Sequence, residues 1–349
     1  MPVAVVVGGQ YGSEGKGKIS KVIAKWKKAT MSVRVGGINS GHTAYDDHGK
    51  KHVLRMLPTS SLLPGVQCVL PAGSYIDAGI LLKEIESVGL ADDMLIIDPN
   101  AVSIDDFEEQ QELNWGISKS IGSTGSGTGA GVMSRVRRDP NGVCFARDVP
   151  ALRKYIRPVV PVMRKALDNG EWIVVEGTQG FMLSLLHSPH YPYVTGRDTT
   201  AAAFVSEAGL SPLDVKEVVM VLRVHPIRVS GNSGPLPNEI DWDTVTKESG
   251  RIRPIIEMTS VTKKIRRVAR FDAEAVKMAI EHERPTIIAL NHIDYIDPVC
   301  LVSSGHIPTE ARRFIDRIEN EIGRNIDIGG FSDTHVVFPH PNDAKWRHG

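Results

Sequence analysis

The chain reads as an α/β protein: a central, mostly parallel sheet flanked by helices, opening on a P-loop-like nucleotide-binding segment. Three observations predict this. Short β-branched runs recur along the chain and are continuously apolar rather than alternating, as strands are when helices cover both faces of the sheet. Longer stretches with apolar residues at helical spacing lie between them. The first run leads straight into a loop rich in glycine and lysine.

Taken in order, Val3–Val7 is the first strand and Lys16–Lys28 the first helix. Met31–Val35, Val66–Leu70 and Met94–Ile97 follow as strands, with a helix over Asp77–Val88 between the last two. Trp172–Val175, Val218–Val224 and Pro285–Leu290 complete the strands, and Phe271–His282 and Thr309–Ile322 the helices. Three segments interrupt the alternation: Gly116–Gly131, dominated by Gly, Ser and Thr; Ser230–Pro237, rich in Gly and Pro; and the basic Gly250–Arg270. Ordering long polar loops costs entropy that packing alone does not offset, so such loops are usually functional. No internal repeat and no boundary composition is visible, so residues 1–349 read as a single elaborated α/β domain.

Composition narrows the function classes. The 41 Lys+Arg balance 41 Asp+Glu, which argues against a nucleic-acid coat or a polybasic membrane binder. No run approaches the roughly 20 apolar residues of a membrane span, and the N-terminus lacks a basic leader. Cys68, Cys144 and Cys300 are odd in number and far apart, which suits a reducing compartment rather than a disulfide framework. The expectation is a cytoplasmic protein (host cytoplasm, if viral) with small-molecule substrates, no nucleic acid and no membrane partner.

The loop after the first strand is Gly8-Gly9-Gln10-Tyr11-Gly12-Ser13-Glu14-Gly15-Lys16-Gly17-Lys18. Glycines allow a tight turn that aims backbone N–H groups and a helix N-terminus at phosphate oxygens, and lysine adds point charge. Gly12 to Lys18 fits G-x-x-x-x-G-K, but Ile19 stands where a Walker loop has the Ser or Thr that ligates magnesium.

This loop resembles the G-Q-W-G-D-E-G-K-G-K start of the adenylosuccinate synthetases, and further blocks follow in order. Gly36-Gly37-Ile38-Asn39-Ser40-Gly41-His42-Thr43 resembles G-G-x-N-A-G-H-T, and Ile121-Gly122-Ser123-Thr124-Gly125 resembles I-G-T-T-G. Glu176-Gly177-Thr178-Gln179-Gly180 matches E-G-x-Q-G, and Tyr191-Pro192-Tyr193-Val194-Thr195 matches Y-P-Y-V-T. Arg228-Val229 and Gly234-Pro235 resemble R-V-G-x-G-P with one residue inserted. The resemblance implies that family's fold and its reaction: phosphorylation of a purine 6-oxygen by an NTP, then displacement by aspartate.

Roles carried over by the resemblance are as follows. Gly12, Ser13, Glu14, Gly15, Lys16, Gly17, Gly41, His42 and Thr43 hold the NTP phosphates, with Ser13, Lys16, His42 and Gln179 catalytic. Asn39, Ser123, Thr124, Gln179, Thr195 and Arg138 join Ser13 around the purine monophosphate. Arg138 is given across the interface of a homodimer, with Arg135 and Arg137 close enough to substitute. Thr262, Lys264, Arg266 and Arg267 fall on the aspartate loop, Lys264 in place of a family Arg that would grip a carboxylate bidentately. Asn291 and Asp294 sit where the family reads guanine, with His292 in place of a lysine, leaving ATP and GTP both open as donor. Mg2+ is implied, on phosphate oxygens, Ser13 and the Gly41 carbonyl.

Position 13 departs from the family, whose loop aspartate is the general base for purine N1 and a metal ligand. Serine is a poor base and a weak metal ligand. Three readings follow: an inactive nucleotide-binding protein, an ordinary adenylosuccinate synthetase acting on IMP, or a changed purine. Losing the carboxylate opens room beside C2, where guanine carries an amino group. In this respect the chain resembles the bacteriophage 2-aminoadenylosuccinate synthetase branch, which joins dGMP to L-aspartate, and that is the expectation adopted.

Overall fold

A computed structural model describes residues 2–139, 142–259, 263–301 and 307–338. Its centre is a nine-stranded sheet, whose strands are numbered here in chain order: β1 Val3–Gly8, β2 Met31–Arg34, β3 Gln67–Leu70, β4 Leu95–Ile97, β5 Ile173–Glu176, β6 Val215–Arg223, β7 Ile287–Asn291, β8 Ile328–Gly330 and β9 Val336–Val337. Across the sheet they run β9-β8-β7-β6-β1-β5-β2-β3-β4. Every pairing is parallel except the edge pair β8–β9.

The central strand shows why its sequence is apolar throughout. Val3, Val5 and Val7 pack on one side with Phe204, Val276 and Ile315, while Ala4 and Val6 pack on the other against Ile19 and Ile23. All five strand residues are fully buried. Alternate side chains leave opposite faces, so two covered faces demand hydrophobicity at every position. The cover over Ala4 and Val6 comes from α1, Lys16–Lys27, whose Ile19, Ile23 and Ala24 form one stripe.

All seven strands read from the sequence are present, and helices form at Ala78–Val88, Ala273–Glu283 and Thr309–Ile322. Asp77 and Asp272 cap two of them, accepting from Ile80 N at 2.8 Å and Ala275 N at 3.1 Å; each therefore stands just outside the helix it starts. The structure corrects the reading of Gly116–Gly131 as a long polar loop. A one-turn helix covers Ile117–Ser120, and a longer one, Thr128–Arg137, begins inside the segment. Glu112 accepts from Gly129 N at 2.6 Å and Ala130 N at 3.3 Å, so a buried carboxylate satisfies the orphan donors of a helix whose glycines disguised it.

Parallel strands present their C-terminal ends along one edge, and the connections leaving β1, β2, β5, β6 and β7 carry the candidate site. That is where α/β sheets of this kind place ligands.

Candidate functional site

Beyond β1 the chain turns through Gly12 (φ +86°), Ser13 (φ +59°) and Gly15 (φ +89°) before α1 begins at Lys16. Three left-handed residues in four make a tight loop, and the one with a side chain is held from outside. Glu14, fully buried, turns back into it: Oε1 accepts from Gly12 N at 2.8 Å and Gln10 N at 3.2 Å, and Oε2 takes Lys16 Nζ at 2.6 Å. Lys16 Nζ also donates to the Gln179 carbonyl. The lysine assigned to phosphate is thus held by two oxygens at the loop mouth, and Gln179 (φ +57°) shares its tether.

Gly17 sets how closely the loop approaches the next element. A Cβ there would lie 2.8 Å from Thr59 Cγ2 and 2.9 Å from His42 Cβ, so α1 is pressed against the strand that carries the histidine. That strand, His42–Tyr45, pairs antiparallel with Lys51–Leu54. His42 Nδ1 lies 2.6 Å from Glu176 Oε1, and Arg34 Nη1 lies 2.7 Å from Nδ1 and 3.2 Å from Nε2. One nitrogen cannot donate and accept through a single site. Glu176 is held below the usual carboxylate range by His42 and Arg34 against the desolvating effect of its burial. The consistent assignment is therefore Nδ1–H donating to Glu176, with Nε2 accepting from Arg34. Burial, then Arg34, brings the imidazole down to about 3, so in this state it is neutral. Glu176 Oε2 completes the web, accepting from Thr59 N at 2.9 Å and Thr59 Oγ1 at 2.6 Å.

Ser13 lies between two arginines. Its carbonyl accepts from Arg223 Nη1 at 3.0 Å, and its hydroxyl accepts from Arg266 Nη1. Arg223 is fully buried and forms a two-pronged pair with Glu257. The Arg266 backbone N–H donates to the Glu257 carbonyl at 2.9 Å, and its Nε to Met258 O at 3.2 Å. The phosphate loop and the basic loop therefore meet at residue 13. Arg267, by contrast, turns to Glu239 (2.8 and 2.6 Å) and Gly234 O at 2.7 Å. Lys264 is exposed, and Thr262 lies outside the described residues.

The expected monophosphate residues gather in part. Asn39 Nδ2 donates to Thr195 Oγ1 at 3.4 Å, Thr124 Oγ1 is 3.0 Å from Ser126 Oγ, and Ser123 Oγ accepts from Gly125 N at 3.3 Å. Asn232 Nδ2 donates to Ser120 O at 2.6 Å, joining two of the polar loops. Arg138 ends its helix exposed, with φ +55°; beside it Met133 and Val136 are exposed too, as is Trp115 of the neighbouring helix Asp106–Trp115.

At the end of β7, Asn291 does not face outward. Its amide donates to the Glu14 carbonyl at 2.8 Å and is fully buried, bracing the phosphate loop. Asp294 pairs with Arg251; burial pushes its carboxyl up to about 6 even so. His292 and Tyr295 rings lie 5.1 Å apart beside it.

For Mg2+ the protein oxygens on offer are few. Among the described residues no group of three His, Cys, Asp or Glu could hold a metal. A sparse set suits magnesium, which keeps waters and binds largely through substrate phosphates. The Arg266 guanidinium already stands on the Ser13 hydroxyl, so the half-buried Gly41 carbonyl and phosphate oxygens fit the ion better than Ser13 does.

Residues the sequence reading assigned no role include Arg34, Thr59, Arg223 and Glu257. Arg34 and Arg223 left a signal, each a charge near the end of a strand run that is otherwise largely apolar.

The adenylosuccinate synthetase family model matches residues 5–147 and 145–303. An adenylosuccinate synthetase of Methanococcus aeolicus is 36% identical over 334 residues, covering 94% of this chain and 96% of its own length; that of Methanocaldococcus jannaschii is 35% identical over 330 residues, covering 93% and 92%. Among solved structures, a cyanophage S-2L succinoaminodeoxyadenylate synthetase bound to dGMP and to dATP as an energy donor superposes with TM-score 0.82 at 28% identity, over 99% of this chain and 97% of that one. A Plasmodium falciparum adenylosuccinate synthetase gives 0.83 at 20% identity, over 97% and 100%, a likeness of fold.

Proposed function

The chain belongs to the adenylosuccinate synthetase family and is a C–N ligase; from that premise we propose that its purine substrate is dGMP. The reaction is dGMP + L-aspartate + NTP → N6-succino-2-amino-2′-deoxyadenylate + NDP + phosphate. The observation that carries this is Ser13 at the family's aspartate position, in a left-handed turn at the meeting of two loops. A hydroxymethyl group leaves space beside C2 that a carboxylate would take. The likeness to the cyanophage enzyme, described as bound to dGMP, supports the reading.

The chemistry runs in two displacements. N1 gives up its proton, O6 attacks the γ-phosphorus, and the bond to the leaving NDP breaks. The aspartate amine then attacks C6 and expels phosphate with the O6 oxygen. Lys16 and the loop amides receive the transferring phosphoryl group, for which Lys16 exchanges its Glu14 and Gln179 contacts. His42 donates toward O6 only after Nε2 gains a proton, which phosphoryl oxygens taking Arg34's place would favour. Mg2+, when bound, neutralises charge on the β- and γ-phosphates. Gln179 orients the 6-oxygen, and Asn39, Ser123, Thr124 and Thr195 hold the monophosphate. Arg266, with Thr262 and Lys264, receives the aspartate carboxylates, while Arg267 shapes the pocket wall through Glu239.

For the donor we favour an adenine nucleotide. A free carboxylate reads guanine by accepting N1–H and N2–H, but Asp294 is already paired with Arg251 and pushed toward protonation. We also propose a homodimer through the exposed face of Trp115, Met133 and Val136, which lies beside Arg138 and would carry it to the partner's monophosphate.

The test is phosphate release from IMP, GMP and dGMP, each with ATP and with GTP, at saturating aspartate. Turnover of dGMP well above IMP supports the proposal. Efficient IMP use with little on dGMP makes this an ordinary adenylosuccinate synthetase, the reading that the 36% identical archaeal relatives favour.

A further inference from the structure

Removing the loop aspartate takes away the base for purine N1, and the surroundings of Ser13 suggest what replaces it. The charged groups facing that turn are Arg223 on the carbonyl, Arg266 on the hydroxyl, and Glu257 paired with Arg223. Two cations and one anion leave an excess positive charge. Glu14 and Lys16, further along the loop, pair with each other and cancel. With aspartate at position 13 the same constellation would be neutral, and Arg266 would be tied up in an ion pair. With serine it carries one net positive charge.

We propose that Arg266 is a catalytic residue toward the purine: by standing on the Ser13 hydroxyl it presents its guanidinium to N1 and O6, stabilising the N1-deprotonated, O6-anionic form of guanine in place of a carboxylate base. The N–H bond at N1 breaks with the proton leaving to a water and thence to bulk. The electron pair it leaves delocalises onto O6, which becomes the nucleophile for phosphorus. An opposite charge within 4–6 Å commonly moves a titration by one to three units, and a guanidinium remains charged across the working pH range. Burial of Arg266 lowers its own pKa while Glu257 raises it.

The side chain is held for this task. Its Nε donates to Met258 O at 3.2 Å and its backbone N–H to Glu257 O at 2.9 Å. Glu257 is in turn fixed by Arg223, whose Nη1 also donates to the Ser13 carbonyl at 3.0 Å. Arg223 is thus a positioning residue: one buried guanidinium sets both the turn that bears Ser13 and the loop that bears Arg266. Lys264, exposed on the same loop, touches neither.

The inference rests on dGMP being the purine, and the two can fail separately. Wild-type protein that neither binds nor turns over dGMP overturns that reading. Where dGMP binds, its N1 titration is followed through the ultraviolet difference spectrum of the enzyme–nucleotide complex, without NTP or aspartate. The expected result is a bound N1 pKa at least about one unit below that of free dGMP, returning toward the free value in Arg266→Met and lying between the two in Arg266→Lys. A bound value equal to or above that of free dGMP, or one unchanged in either variant, overturns the proposal. Should Arg266→Met not fold, the lysine variant alone decides: a bound N1 pKa moved part of the way back toward the free value supports the proposal, and one unchanged from the wild type overturns it.

Discussion

Exchanging Ser13 for aspartate puts the substrate reading at risk most directly. The side chain grows from a hydroxymethyl to a carboxymethyl group at a turn with φ +59°, a conformation aspartate tolerates better than most residues, so the loop itself should survive. Overpacking a filled space typically costs about 1–3 kcal/mol. Placed against a C2 amino group this lowers kcat/KM for dGMP by a factor of roughly 5 to 150, at about 1.4 kcal/mol per decade. IMP carries only hydrogen at C2 and meets no such crowding. It gains a general base, an effect of order 100- to 10,000-fold where the geometry is productive, reduced because the new carboxylate pairs with Arg266. A base that serves both purines cancels in the comparison, so the ratio of dGMP to IMP specificity should fall by the steric factor, roughly 5- to 150-fold. Initial rates of phosphate release with each purine, fitted for kcat and KM, measure it. An unchanged ratio in a folded Ser13→Asp protein would refute the claim that residue 13 sets which purine is accepted.

Other outcomes follow from the same geometry. Glu176→Gln leaves Arg34 buried beside a weakened acceptor and should cost about 3–5 kcal/mol of stability, read by urea or thermal unfolding. His42 has a folded pKa of about 3 against 6.5 unfolded, so the unfolded chain takes up the proton first. Stability should hold above pH 6.5 and decline as pH falls toward 3, by up to about 1.4 kcal/mol per pH unit for this group, and His42→Asn should show a shallower acid limb in unfolding measured against pH. Arg251→Ala, assayed at alkaline pH so that Asp294 stays ionised without the arginine that lowers its pKa, should raise GTP use relative to ATP; an unaltered donor ratio would show that the pair does not read the base. Val136→Glu, placing charge on an apolar face that is 71% exposed at that residue, should shift the protein to monomer in sedimentation and lower activity at low protein concentration.

What the sequence disclosed and what it hid divide along physical lines. Strand β1 was legible because burial on both faces leaves no polar position to blur the pattern, and Thr309–Ile322 because its apolar stripe is regular. Asp106–Trp115 was not, since its outward residues Phe107, Leu113 and Trp115 are apolar and its buried ones, Glu108 and Glu112, are acidic, an inverted pattern that period-counting rejects. Strands β8 and β9 are too short to stand out. Within the site, the loop after β1 and the segment around His42 stood out in the sequence because their glycine spacing is distinctive. Arg34, which also meets the nearby His42, shares with Arg223 and Glu257 partners 34 to 210 positions away, and a lone charge in a string says nothing about whom it meets after folding.

The bare position at Gly17 has a wider bearing. Thr59 and His42 close in on the first turn of α1 because no methyl stands there to hold them off. Alanine would wedge the helix outward by a few tenths of an ångström, and the imidazole and the phosphate cradle would drift apart together. If His42 and this loop act as proposed, turnover would depend on a clearance that one carbon atom would spoil, and sensitivity to that single substitution would be a ruler for how near the acid and the transferring group must come.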